Sequence, residues 1–168
     1  KSGRKAEGIA ECQESVRLDP NAREAQHTLA QFLREEKRYA EAIVHAREVV
    51  RIAPNYADGH YHLGHIAALL GDYDLATKEM EISSRLSPGN WQQRYILATV
   101  YSQVDRPRES FEILKECVAK DPKAWNLWLA YAHEARKCGE FAAAIDGYRA
   151  ANSPVRTIKI KKPKRHRR

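Results

Sequence analysis

Residues 55–88 read NYADGHYHLGHIAALLGDYDLATKEMEISSRLSP, a segment with room for one helical hairpin. Two helix-length segments, 57–70 and 73–86, flank Gly71, and Pro88 closes the second of them. Proline has no N–H and clashes with the turn before it, so it stops a helix. Prolines stand at positions 20, 54, 88 and 122, each gap being 34 residues. Companion ladders keep the same step. Leu29, Leu63, Leu97 and Tyr131 are large; Ala30, Gly64, Ala98 and Ala132 are small. Lys37, Gly71, Asp105 and Gly139 fall in polar breaks, followed by Tyr39, Tyr73, Pro107 and Phe141. Ala42, Ala76, Ser110 and Ala144 form another small ladder.

Each ladder has a physical reason. Small residues let two helix backbones approach closely, and the large residues beside them fill the space between neighbouring pairs. Gly71 and Gly139 suit the left-handed backbone that ends a helix. Pro107 suits a first helical turn, where its fixed φ is helical and its missing donor costs nothing. A period in this range means stacked repeats, each burying its apolar face on the next. The period predicts helices near 4–18, 23–36, 39–52, 57–70, 73–86, 91–104, 107–119, 125–138 and 141–151.

His60-x-x-Leu63-Gly64-x-x-Ala67, Ala76-x-x-x-Met80 and Pro88 resemble the tetratricopeptide pattern W-x-x-L-G-x-x-Y, A-x-x-x-F, P. So do Trp128-x-x-Tyr131-Ala132-x-x-Ala135 and Ala144-x-x-x-Tyr148. Gln26 and Arg94 depart from it, standing where the family has a large residue. The resemblance implies an all-α fold: a right-handed superhelical solenoid of antiparallel helix hairpins, about four and a half repeats long. The expected organisation is an array over 1–152, with a half repeat at 3–20 and full repeats at 21–54, 55–88, 89–122 and 123–152. A basic segment, 153–168, follows. Both terminal helices lack the polar cap such arrays carry, so end-to-end association through them is a further expectation.

Composition is that of an ordinary soluble domain, 43% apolar and 30% charged. No apolar run is long enough to span a membrane, and no amino-terminal stretch pairs basic residues with an apolar core. Cys12, Cys117 and Cys138 are widely spaced and form no CxxC, which disfavours a zinc or dithiol motif. Three reduced thiols, a cytoplasmic location, and a nuclear one if the basic segment directs import, are the expectations. The +7 net charge is concentrated in Arg156, Lys159, Lys161, Lys162, Lys164, Arg165, Arg167 and Arg168, leaving the rest near neutral. Attraction to RNA, DNA or another polyanion would come from that segment.

No HExxH, GxSxG or glycine-rich phosphate loop occurs, so the chain reads as non-catalytic, with no cofactor and no metal. His62 and His65 share a helix face at ligand spacing, but no Cys or acid at helical spacing completes a set. His60 reads instead as a core residue in place of an aromatic, while His62 and His65 face the groove of the array. The resemblance implies a concave groove lined by the first helix of each hairpin. Its inward positions are His27 and Gln31, Tyr61 and His65, Tyr95 and Thr99, Leu129 and His133, with Arg34 and Arg136 one turn on. Tyrosines among polar groups suit a peptide or helix of a protein partner. The cochaperone branch holds a terminal carboxylate with Lys, Asn and Arg; His27, Gln31, His62, Gln92 and Ile96 stand at those places, so that clamp is absent. The favoured reading is a protein-interaction scaffold. The alternative is a component of a nucleic-acid assembly anchored by the basic segment.

Overall fold

A computed structural model describes residues 2–153, with side chains from Ala6 onward. Among the described residues there are nine helices and no strand: α1 (Ser2–Leu18), α2 (Arg23–Glu35), α3 (Tyr39–Ile52), α4 (Ala57–Leu69), α5 (Tyr73–Leu86), α6 (Trp91–Gln103), α7 (Pro107–Lys120), α8 (Trp125–Lys137) and α9 (Phe141–Ala151). Every expected helix is present. The fold is the all-α helix-hairpin solenoid type that the period predicts.

Cα packing divides the chain into two compact units, one through Val104 and one from Asp105. In the first unit each helix packs on the next from α1 to α6, and α2, α4 and α6 also meet in succession. Its core gathers Ile9, Leu29, Ala30, Leu33, Ala42, Ala46, Leu63 and Ile66. In the second, α8 packs on α7 and α9, around Phe111, Ala135 and Ala144. The small ladders sit where backbones touch: Ala30, Ala42, Ala76 and Ser110 have no exposed surface. A Cβ built on Gly64 would lie 2.7 Å from Met80 Cγ and 3.0 Å from the Ala76 carbonyl oxygen, so glycine sets how closely α4 and α5 approach.

Helix ends follow from local chemistry. The residue before a proline is pushed out of the helical region; Ala53, Ser87 and Asp121, each preceding a repeat proline, have φ of −134°, −135° and −128°. The hairpin turns pass through left-handed residues: Gly71 and Gly139, and also Lys37 (φ 61°) and Asp105 (φ 56°). At Lys37 the helix closes as at the glycines, Arg38 N–H donating to Leu33 O at 2.8 Å as Asp72 N–H does to Ala67 O.

One of the two apparent departures from the expected pattern, Gln26, acquires a reason. At the first large position of each hairpin a side-chain N–H reaches back to the carbonyl of the repeat proline six residues earlier. Trp128 Nε1–H donates to Pro122 O at 2.9 Å, His60 Nε2–H to Pro54 O at 2.8 Å, and Gln26 Nε2–H to Pro20 O at 2.9 Å. The position needs a donor of the right reach, and size is secondary; Arg94, in the same register, is also a donor residue. The remaining face of this side chain meets the second helix: His45 Nδ1–H donates to Gln26 Oε1 at 2.8 Å, and His60 Nδ1 lies 2.7 Å from Glu79 Oε2. His60 is therefore a core residue, with a carboxylate partner on the neighbouring helix rather than its own.

Candidate functional site

The first-helix positions of the first unit converge on His62. Because α2 and α4 lie side by side, residues about one repeat apart in sequence become neighbours. His62 Nε2 lies 2.9 Å from the Gln31 amide nitrogen, whose distance to His27 Nε2 is 3.3 Å. Arg34 Nη1 donates to His62 Nδ1 and to His65 Nδ1, each at 3.3 Å. A neutral imidazole has one donor and one acceptor nitrogen. With Nδ1 accepting from Arg34, His62 carries its proton on Nε2. Two donors cannot face one another, so the Gln31 amide is read with its oxygen toward His62.

Rings enclose the cluster. His27 stands edge-on to Tyr56 at 5.6 Å between centroids and 4.9 Å from His62; Tyr61 is 5.0 Å from His62 and 5.7 Å from His65. The Arg23 guanidinium sits 4.5 Å from the centre of the Tyr56 ring. Asp58 accepts from Gln93 Nε2 at 2.6 Å, tying α4 to α6.

Burial sets the protonation. It pushes His62 down to about 4, helped by the charges of His27 and Arg34. His27 and His65 are also lowered, chiefly by burial. Burial raises the Tyr61 phenol, which stays a neutral donor. At neutral pH the two imidazoles that accept from the Arg34 guanidinium, His62 and His65, are therefore uncharged, as is His27. Among the described residues no group of His, Cys, Asp or Glu is arranged to hold a metal ion.

Between α4 and α6, next to the cluster, lies a cleft of about 240 Å³ walled by His65, Ala68, Leu69, Ile96 and Thr99. His65 belongs to both: one nitrogen accepts from Arg34 while the ring walls the cleft.

Of the residues singled out by sequence, the structure thus assembles His27, Gln31, Arg34, Tyr61 and His65, and sets Thr99 across the cleft from His65. Tyr95 is half-buried on α6. Leu129, His133 and Arg136 belong to the second unit and lie exposed on α8, His133 edge-on to Tyr148 at 5.9 Å. The basic residues of 156–168 lie outside the described residues. His62, which the sequence places on the groove side without a role there, is the centre of the cluster: it stands one position off the row of His27 and Tyr61, and its link to Gln31 appears only when the two helices are placed together. Sequence reasoning missed Tyr56 and Asp58, the first because it precedes α4.

The tetratricopeptide repeat family model matches residues 24–56 and 57–90, the two hairpins that carry this cluster. No curated protein matches the sequence. Among solved structures, a crystal structure of MamA shares 17% identity, covering 89% of this chain and 88% of that one, with a TM-score of 0.83. MamA 41-end from Desulfovibrio magneticus RS-1 shares 18% identity over 89% and 85% of the two chains, TM-score 0.81. YrrB, described as a TPR protein with an unusual peptide-binding site, shares 15% identity over 83% and 72%, TM-score 0.77. At these identities the likeness concerns the fold.

Proposed function

We propose that this chain, which carries tetratricopeptide repeats and has their solenoid fold, is a non-catalytic scaffold that binds a peptide or helix of a protein partner along the α2, α4 and α6 face. The observation that carries the reading is the side-by-side placement of His27, Gln31, Arg34, Tyr61 and His65 on two successive first helices, continued by the α4–α6 cleft. Aromatic rings with polar edges, half-buried and held by neighbours, lose little freedom when a partner lands on them. Leu69, Ala68 and Ile96 give the same face an apolar part, and Leu69 is 44% exposed. YrrB, of similar fold, has a peptide-binding site by its own description, which supports peptide recognition by such a framework.

The test uses peptides selected from a random phage-displayed library against the intact chain. Their affinities are then measured for the intact chain, for Tyr61→Ala with Tyr95→Ala, and for a chain ending at Ser153. Losing a buried tyrosine at an interface commonly costs more than about 1 kcal/mol, so the double variant should bind at least about tenfold more weakly while remaining helical. The shortened chain should bind normally. The reverse pattern would assign binding to the basic segment and remove the groove from the account.

A further inference from the structure

We infer that the cluster on α2 and α4 receives a carboxylate side chain of the partner segment, held by Arg34 and the Tyr61 hydroxyl, with an apolar neighbour of that acid entering the His65–Thr99 cleft. The inference deepens the reading above and rests on it.

Two unspent donors point to it. A guanidinium carries five N–H groups and a full charge. Those of Arg34 that are engaged meet only Nδ1 of His62 and Nδ1 of His65, both uncharged. Among the described residues no carboxylate lies within ion-pair distance of Arg34, although Arg17, Arg38, Arg51, Arg106 and Arg149 each pair with an acid three residues away in sequence. Asp58, the acid nearest the cluster, is engaged by Gln93. Arg34 is also half-buried, not extended into water. Tyr61, more than half-enclosed, packs its ring on His62 and His65 while its hydroxyl has no hydrogen-bond partner among the described residues.

A half-buried cation anchored through one nitrogen and lacking a counter-charge favours an anion; the fork geometry selects a planar one. Neutral imidazoles orient the guanidinium without neutralising it, and so leave its charge for a ligand. The residues differ from those of the absent terminal-carboxylate clamp: Arg34 lies about one turn beyond Gln31, and no Lys or Asn takes part. The cleft adds the second requirement. Because His65 both accepts from Arg34 and walls the cleft, an acid on Arg34 places its sequence neighbour against Ala68, Leu69 and Ile96.

The experiment takes the tightest peptide that loses affinity for Tyr61→Ala with Tyr95→Ala, and replaces each of its Asp or Glu residues by the amide. Affinities are measured for the intact chain and for Arg34→Gln in moderate salt, both proteins retaining the basic segment so that its attraction cancels. One amide replacement should weaken binding to the intact chain at least about tenfold and have little effect on Arg34→Gln, a coupling expected of a charge-assisted pair. Arg34→Lys, with the charge but not the fork, should keep part of that coupling; it serves alone if the Gln variant loses its helical spectrum. Selected peptides without an acid, or amide replacements equally costly on both proteins, would overturn the carboxylate assignment and leave the groove standing. Selected peptides indifferent to the two tyrosines, or no selection at all, would remove the groove and the carboxylate site with it.

Discussion

Acidification should unfold the first unit earlier than its carboxylates alone require, and His62 should be the main reason. The folded chain holds His62 at about 4, against an ordinary value of 6.5. Between those values the unfolded chain binds a proton that the folded chain refuses, so stability falls as pH falls. The sign follows from the geometry: a proton on Nδ1 would face the Arg34 guanidinium in a half-dry site. Full passage through the window is worth about 3 kcal/mol, and the part between pH 7 and pH 5 about 2 kcal/mol. His27, His45 and His65 are lowered too, mainly by burial, and act in the same direction. Glu14 and Glu41, held low by arginine partners, lose their contribution only at lower pH. The assay is urea unfolding by circular dichroism at pH 7 and pH 5 for the native chain and for His62→Gln, which keeps a polar group between Gln31 and Arg34. The native chain should lose about 2 kcal/mol more than the variant on acidification. Equal losses would mean that His62 protonates freely in the folded state, and the buried, Arg34-facing orientation would be wrong.

Three further outcomes test the packing. Lys37→Gly should raise stability by about 1 kcal/mol in urea unfolding, since it removes a side chain from a left-handed position; a lowered midpoint would place the turn elsewhere. Gly64→Ala and Ala76→Leu should each cost roughly 1–3 kcal/mol by forcing α4 from α5; an unchanged midpoint for both would contradict the close approach. Gln26→Leu should cost about 1–3 kcal/mol by leaving Pro20 O and His45 without a partner, while Gln26→His, which borrows the imidazole that His60 supplies in the next repeat, should recover part of it; if Leu were tolerated as well as His, the donor rule at this position would fail.

The fold was legible because its rules are periodic. Prolines, small residues and hairpin breaks each recur at the repeat length, and each reports a backbone requirement that no other residue type meets as easily. What stayed hidden lies between repeats. Lys37 and Asp105 adopt the conformation of Gly71 and Gly139 with no glycine to announce it; at Lys37 the closing hydrogen bond from Arg38 N–H to Leu33 O offsets part of the steric cost. Gln26 looked like a loss of the family's large residue, whereas the shared property is a donor aimed at the proline carbonyl. For the proposed groove, the positions on α2 and α4 came from the family resemblance carried along the 34-residue step. The way Gln31 and Arg34 grip His62 from either side was not, since hydrogen bonds between helices depend on the rotation of both.

Whether a partner binds on the α2, α4 and α6 face can be read residue by residue by nuclear magnetic resonance. The chain, labelled in its backbone amides and histidine rings, is titrated with the tightest selected peptide. The largest shifts are expected at His27, His62, His65 and the amides around Tyr61, Tyr95 and Thr99, with little change on α3 and α5. Shifts concentrated on α3 and α5, in the second unit or in residues 154–168, with the histidine rings unmoved, would contradict binding on that face.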